Sequence, residues 1–231
     1  MIYLVGSGPG DPGLFTLKGV RCMEEADAVI YDRLAPEALL GYARPEAEKI
    51  YVGKKPGSPT MSQEEINGLL VEKGRAGMTV VRLKGGDPYV FGRGGEEALS
   101  VKGAGLPFEV VPGVTSGVAA PAYAGIPVTH RNVSTSVAFV TGHEDPTKSR
   151  PDVDWEKLAS GSDTLVLYMG VGRLQEISTE LIAAGRSRKT PVACIRWGTL
   201  PEQRSVTGKL EDIADRVAEA GLKPPAIIVI G

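Results

Sequence analysis

The sequence has few of the residues that form disulfides or metal centres. It contains only two cysteines and two histidines among 231 residues. Cys22 and Cys194 lie far apart, with no Cys-x-x-Cys or Cys/His spacing, so neither a disulfide framework nor a zinc site is indicated. We expect both cysteines to be buried apolar residues. No cluster of histidine, cysteine and carboxylate residues argues for another metal.

Long hydrophobic runs are also absent. The apolar segments are far shorter than the roughly 20 residues that cross a bilayer. The opening residues, Met1 to Val5, show no basic leader before an apolar stretch. We therefore expect no membrane partner and a cytoplasmic location.

The sequence also lacks a large excess of positive or negative charge. The formal net charge is −2, which gives no reason to expect nucleic acid or an anionic membrane as a partner. Any anion-binding site must therefore be local. With 42% hydrophobic and 23% charged residues, the composition is that of a soluble globular protein with a sizeable core.

Short runs rich in Val and Ile alternate with helix-like segments in the first half of the chain. The runs are Ile2 to Val5, Ala28 to Tyr31, Lys49 to Val52, Thr79 to Leu83 and Phe108 to Val111. This alternation predicts an α/β fold with a mainly parallel sheet. A helix is predicted at about residues 63–75, with Ser62 and Glu65 forming a capping box, and another is expected to begin near Thr16.

A second strand series follows a segment of small residues after Gly113. Its runs are Val137 to Val140, Thr164 to Tyr168, Val192 to Arg196 and Ala226 to Ile230. Amphipathic helices are predicted at about residues 172–184 and 210–220, each followed by a glycine. The sequence therefore predicts two α/β domains, residues 1–113 and 114–231.

A glycine-rich loop, Gly6 to Gly13, follows the first strand, and Asp32 ends the second. This arrangement suggests a dinucleotide-binding turn. However, the third glycine of G-x-G-x-x-G would fall on Asp11, and Pro9 and Pro12 prevent a helix from opening beneath a pyrophosphate. A purely structural turn is a further alternative. We favour a loop that brings bare backbone close to a small molecule.

Several motifs, in register along the whole chain, resemble those of the tetrapyrrole methylases. They are Val5 to Pro12, Tyr31 to Leu34, Val52 to Lys55, Leu83 to Pro88, Val90 to Glu97, Val111 to Ser116, Gly125 to Arg131, Thr141 to His143, Tyr168 to Gly170 and Pro225 to Val229. The glycine loop and Gly-Asp-Pro fit many members of this superfamily. Tyr-Asp-Arg-Leu, Val-Gly-Lys and Phe-Gly-Arg-Gly-Gly-Glu-Glu resemble the branch that acts on uroporphyrinogen III.

The resemblance implies two α/β domains with S-adenosylmethionine bound in the cleft between them, and a homodimer. It also implies transfer of two methyl groups to ring carbons 2 and 7 of uroporphyrinogen III. The product would be precorrin-2, which leads to sirohaem and cobalamin. A later precorrin methylase is the main alternative. A diphthine synthase and a nicotinamide-dependent oxidoreductase are the others.

The resemblance also implies a set of residues that line the methyl-donor pocket. They are Pro9, Gly85, Gly86, Asp87, Val90, Thr115, Ser116, Met169, Gly198 and Ala226. Glycines 85 and 86 would let backbone approach the ligand, and Asp87 follows a strand, where open α/β sheets usually bind ligands. Taken alone, residues 85–88 also fit an ordinary turn in which Asp bonds its own backbone.

Uroporphyrinogen III, the substrate that the resemblance implies, carries eight carboxylates, so basic residues would have to gather on one wall of its site. The predicted substrate-binding residues are Arg33, Lys84, Arg93, His130 and Arg131, and Lys54, Lys55 and His143 are further candidates. Arginine suits carboxylates because its planar fork bonds both oxygens. By resemblance, Asp32 accepts a proton and Lys54 donates one. Either could instead orient a propionate or acetate group.

Overall fold

The computed structural model describes residues 1–53, 61–143 and 153–231. The chain divides into two compact units, Met1–Thr115 and Ser116–Gly231. The predicted boundary after residue 113 falls close to this division. Each unit contains one five-stranded sheet.

The sheet of the first unit is entirely parallel. Its strands are β1 (Ile2–Gly6), β2 (Ala28–Tyr31), β3 (Glu48–Tyr51), β4 (Val80–Lys84) and β5 (Phe108–Val111), in the order β3-β2-β4-β1-β5. All five predicted runs are strands, and the prediction of a parallel sheet is confirmed. Because the strands are parallel, the residues that follow each of them leave the same edge. All five strands therefore deliver their following residues to one side of this unit.

Two of the three α-helices described in the first unit begin at a side-chain cap, whereas the third follows Arg93 without one. The three helices are α1 (Leu17–Glu25), α2 (Gln63–Arg75) and α3 (Gly94–Gly103). The Thr16 side chain accepts a hydrogen bond from the Gly19 amide, which confirms the predicted start of α1. Ser62 accepts from the Glu65 amide while the Glu65 carboxylate accepts from the Ser62 amide, so the capping box is confirmed. Two short 3-10 helices, Pro12–Leu14 and Glu37–Tyr42, complete the unit.

The second unit has a mixed sheet. Its strands are β6 (Val137–Thr141), β7 (Thr164–Tyr168), β8 (Pro191–Arg196), β9 (Arg204–Lys209) and β10 (Ala226–Ile230), in the order β6-β7-β10-β8-β9. Only β6 and β7 pair in parallel, and the other three pairs are antiparallel. Consequently β6, β7 and β8 end at the edge where β10 begins. Its helices are α4 (Ser116–Tyr123), α5 (Trp155–Gly161), α6 (Leu174–Ala183) and α7 (Ile213–Glu219).

Both cysteines lie in apolar cores, as predicted. Cys22 is buried in the first unit beside Met23, and Cys194 is buried in the second. Burial raises the pKa of the Cys194 thiol to about 12. Among the helices in the described part of the chain, none is long and apolar enough to cross a membrane.

Candidate functional site

The loops that follow β1 and β4 are joined beyond the end of the sheet. The Ser7 amide donates to the Lys84 carbonyl at 2.7 Å. Gly8 and Gly86 then exchange hydrogen bonds in both directions, at 2.7 and 3.2 Å. Gly86 has a φ of 66°, which favours glycine at this position. These contacts hold the glycine-rich loop against the Gly-Asp-Pro loop.

Glycines in this loop cluster let backbones pack more closely than any side chain would allow. A Cβ on Gly6 would lie 2.6 Å from both the Gly113 Cα and the Gly86 carbonyl oxygen. A Cβ on Gly85 would lie 2.6 Å from the Leu34 Cβ. Packing within the chain thus already requires glycine at position 85. The predicted contact of Gly85 with a ligand stays a prediction.

Asp87 connects the β4 loop to the β5 loop. Its Oδ1 accepts from the Tyr89 amide at 2.8 Å, and its Oδ2 accepts from the Gly113 amide at 3.1 Å. The first bond is that of the ordinary turn considered for this segment. The second bond reaches a different loop, so the carboxylate also fixes the segment that leads to Thr115. Predicted donor-site residues Pro9, Val90 and Thr115 lie half-buried in the same three loops.

The remaining predicted donor-site residues share one edge of the second sheet. Met169 follows β7, Gly198 follows β8, and Ala226 opens β10, where it pairs with Arg196. Ser116 begins α4, which is held at this edge because the Gly117 amide donates to the Tyr168 hydroxyl at 2.8 Å. A Cβ on Gly198 would lie 2.9 Å from the Ala120 Cα, so α4 packs directly against residue 198.

Three residues other than glycine adopt left-handed backbone conformations at this edge of the second sheet. The φ angles are 56° at Met169, 50° at Trp197 and 73° at Thr199. Such conformations cost about 1–3 kcal/mol each and cluster at functional sites. Met169 is also 55% exposed. Trp197 and Thr199 were not predicted from the sequence, because neither residue type indicates a positive φ.

The Asp32 carboxylate is held by two different contacts. Its Oδ1 accepts from the Leu34 amide at 3.0 Å, and its Oδ2 accepts from the Arg82 Nη2 at 3.0 Å. The Asp32 side chain is 29% exposed, whereas the Arg82 side chain is 4% exposed. A buried guanidinium thus supports a carboxylate that solvent can still reach.

Arg82 also contacts a fully buried carboxylate on α3. Glu97 Oε1 accepts from the Arg82 Nε at 3.0 Å and from the Lys84 Nζ at 2.8 Å. Gln63 on α2 adds a third donor at 3.2 Å. Burial and the nearby Arg82 charge lower the pKa of Lys84, while Glu97 opposes this shift.

Arg82 and Glu97 were not predicted as site residues, although the sequence of β4 indicates a buried charge network. In a central parallel strand the residues are expected to be continuously apolar. Arg82 and Lys84 instead occupy alternate positions of β4, so both project from the same face of the sheet. Two cations on one buried face require a buried anion nearby, and Glu97 supplies it.

The predicted substrate-binding residues lie in different settings. Arg33, Arg93, His130 and Arg131 are exposed, the last two on the second unit. The Arg93 guanidinium bonds both Glu96 oxygens, at 2.8 and 2.7 Å, and the His130 Nδ1 lies 2.8 Å from the Arg131 carbonyl oxygen. Lys84, by contrast, is buried and paired with Glu97. Lys54 and Lys55 lie outside the described residues.

Metal-ligating residues do not gather anywhere in the described ranges 1–53, 61–143 and 153–231. No group of three or more His, Cys, Asp or Glu side chains there is arranged to hold an ion.

Comparison with known proteins identifies relatives over the full chain. The family described as Tetrapyrrole (Corrin/Porphyrin) Methylases matches residues 1–214. A Priestia megaterium protein named uroporphyrinogen-III C-methyltransferase is 52% identical over 100% of this chain and 96% of its own length. A Bacillus subtilis protein of the same name is 54% identical, but this chain spans only 48% of it.

Solved structures show the same fold. Uroporphyrin-III C-methyltransferase from Thermus thermophilus, complexed with S-adenosylhomocysteine, has a TM-score of 0.84 at 45% identity, covering 100% of this chain and 96% of that one. A cobalt precorrin-4 methyltransferase has a TM-score of 0.87 at 32% identity, with coverage of 100% and 94%.

We expect Gly113→Ala to destabilise the protein by about 1–3 kcal/mol, because its Cβ would overlap the Gly6 backbone, 2.8 Å away. Gly68→Ala is the matched control, since a Cβ there meets nothing within 4 Å on α2. The control should stabilise the protein by about 0.5–1 kcal/mol. Urea denaturation measures both changes, and equal stability of the two variants would contradict the close packing of these loops.

Proposed function

Because the chain belongs to the tetrapyrrole methylase family, we propose that it is an S-adenosylmethionine-dependent methyltransferase acting on uroporphyrinogen III. It transfers two methyl groups, to ring carbons 2 and 7, and releases precorrin-2 for sirohaem or cobalamin synthesis. The observation that carries the proposal is the Priestia megaterium relative, whose name states this activity. This chain matches that relative at 52% identity over 96% of its length.

The methyl donor requires backbone groups, a slot for adenine and acceptors for its charged end. The Thermus thermophilus neighbour, which is complexed with S-adenosylhomocysteine, supports a donor site in this fold. In the first unit, the three loops after β1, β4 and β5 present tightly packed backbone at one edge. In the second, exposed Met169 and the loop at Gly198 lie at one edge. These features fit the predicted donor set.

S-adenosylmethionine supplies an electrophilic methyl group on its sulfonium. The chain must hold an electron-rich pyrrole carbon in line with that methyl group, so positioning dominates the rate. Proton loss from the macrocycle then restores its neutral state. We assign proton acceptance to Asp32, whose carboxylate is partly exposed and fixed by Arg82. Lys54 is the proposed proton donor.

The acceptor's carboxylates require cations that solvent can reach. Arg33, Arg93 and Arg131 meet this condition, and His130 is exposed next to Arg131. Arg93 is already paired with exposed Glu96, so a substrate carboxylate would have to exchange with that partner. Buried Lys84 is paired with Glu97, so it fits a structural role better than a direct contact with the substrate.

A later methylase of corrin-ring synthesis is the second candidate. The cobalt precorrin-4 methyltransferase has a slightly higher TM-score than the Thermus thermophilus enzyme, 0.87 against 0.84. Its sequence identity is lower, 32% against 45%. Because backbone similarity reports the shared fold while side chains select the acceptor, the higher identity favours uroporphyrinogen III.

We also propose a cytoplasmic homodimer. Strand β6 is an edge of its sheet, and it exposes Val137 and Phe139 near the exposed Val133. Apolar side chains on an edge strand favour contact with another chain. A second copy of the protein is the proposed occupant.

The proposed reaction is tested by anaerobic incubation with enzymatically generated uroporphyrinogen III and S-adenosylmethionine. We expect the macrocycle to gain two methyl groups by mass spectrometry, together with dipyrrocorphin absorbance. Tight binding of S-adenosylhomocysteine without methyl transfer would move the acceptor to a later corrin precursor. A precorrin-4 substrate tested in parallel would distinguish that case.

Asp32→Asn should lower kcat by about 100-fold or more, because a positioned general base contributes roughly that factor. S-adenosylhomocysteine affinity should be unchanged. Lys54→Met should behave in the same way. Asp27→Asn is the matched control, since Asp27 precedes β2, bonds the Thr79 amide and has no proposed catalytic role. Full activity of Asp32→Asn and Lys54→Met would refute both assignments.

Asp87→Ala should weaken S-adenosylhomocysteine binding in calorimetry, because it releases the amides of Tyr89 and Gly113 and frees the two loops. Asp163→Ala is the control, because Asp163 also accepts from loop amides, those of Thr135 and Ser136, away from the predicted donor set. Unchanged affinity in Asp87→Ala would remove Asp87 from the donor site.

A further inference from the structure

A continuous chain of ionic contacts runs from the core of the first unit to the proposed proton acceptor. Glu97 contacts Arg82, and Arg82 contacts Asp32. We propose that Glu97 is a positioning residue that fixes the Asp32 carboxylate through Arg82. This inference rests on the proposed function, in which Asp32 accepts the proton.

The guanidinium of Arg82 has little freedom to move. Its Nε donates to Glu97 at 3.0 Å, and its Nη2 donates to Asp32 at 3.0 Å. Its Nη1 donates to the carbonyl oxygens of Leu83, at 3.0 Å, and Ile30, at 3.4 Å. Every nitrogen of the planar fork therefore has an acceptor. Asp32 thus receives its hydrogen bond from a group fixed to the sheet.

Lys84 has Glu97, not Asp32, as its hydrogen-bond partner. Tyr31 pairs with Leu83 across β2 and β4, so Asp32 follows beside Lys84. Lys84 nevertheless places its Nζ 2.8 Å from the Glu97 Oε1. Without the Glu97 charge, Asp32 would be the remaining carboxylate near the Arg82 and Lys84 cations. The Asp32 side chain would then be drawn inward, away from a substrate proton.

Stability alone does not account for a carboxylate at position 97. Glu97 is fully buried, and within the described ranges its Oε2 has no hydrogen-bond partner. Desolvating a charged oxygen in this way is costly, and buried ion networks are often no more stable than apolar packing. Four charged groups, Asp32, Arg82, Lys84 and Glu97, balance to zero in this network. This balance of charge favours a single, defined position for Asp32, which is the most exposed of the four side chains.

The inference is tested with Glu97→Gln in the full-length protein. The amide keeps the shape and still accepts from Arg82, but removes the charge that holds Lys84. We expect kcat to fall by about 10- to 100-fold, as displacement of a reacting group by about 1 Å would produce. The KM for S-adenosylmethionine, the S-adenosylhomocysteine affinity and the melting temperature distinguish this loss from unfolding, and the first two should be unchanged.

Glu109→Gln is the matched control, because it removes a partly exposed carboxylate that pairs with Lys18 on the same unit. It should retain the wild-type kcat. Wild-type kcat in folded Glu97→Gln would overturn the proposal, and so would a loss confined to KM.

Arg82→Lys provides a second variant if Glu97→Gln does not fold. Lysine keeps the positive charge but cannot bridge Glu97 and Asp32 as a planar fork does, so kcat should fall to a similar extent. Wild-type kcat in this variant, or failure of both variants to fold, would assign the network to stability and overturn the proposal.

The wild-type assay separates this inference from the proposed function. A wild-type protein that does not methylate uroporphyrinogen III overturns the function and, with it, the role of Asp32. An active wild type with fully active Glu97→Gln overturns only the role of Glu97.

Discussion

A buried carboxylate must be compensated by cations within the core, and this constraint organises the first unit. Glu97 on α3 has no exposure, so β4 must supply Arg82 and Lys84 on the face that α3 covers. The position of β4 in the middle of the sheet then brings Arg82 to the end of β2. The polar edge that carries Asp32, the proposed proton acceptor, is therefore fixed by a contact in the interior.

Glycines and one aspartate hold the backbone of three neighbouring loops in place. The loops after β1, β4 and β5 approach one another at Gly6, Gly86 and Gly113, and Asp87 joins two of them. Residues that the family resemblance assigned to ligand contact thus also hold the loops together. The two roles are compatible, since a backbone surface can bind a small molecule only if its loops keep one arrangement.

Most of the structural features that were predicted from the sequence depend on patterns among residues close together in the chain. The capping box at Ser62 and the start of α1 at Thr16 depend on residues three positions apart, and both are confirmed. Strand β9 was missed because Val206 is its one large apolar residue and it lies at an edge. The Glu97 contacts join residues 13 and 15 positions apart across two elements, so no local pattern contains them. The donor and acceptor residues rest on resemblance, and their roles stay predictions.

The order of strands in the second sheet affects how this protein folds during synthesis. The first sheet is complete once Val111 has been made, and its unit can form while translation continues. In the second sheet, β10 lies between β7 and β8 and pairs with both. The ribosome must therefore release residues 226–230 before β7 and β8 can join one sheet. Until then, β7 and β8 each expose the edge that β10 will cover, and such an unpaired edge can pair with another chain.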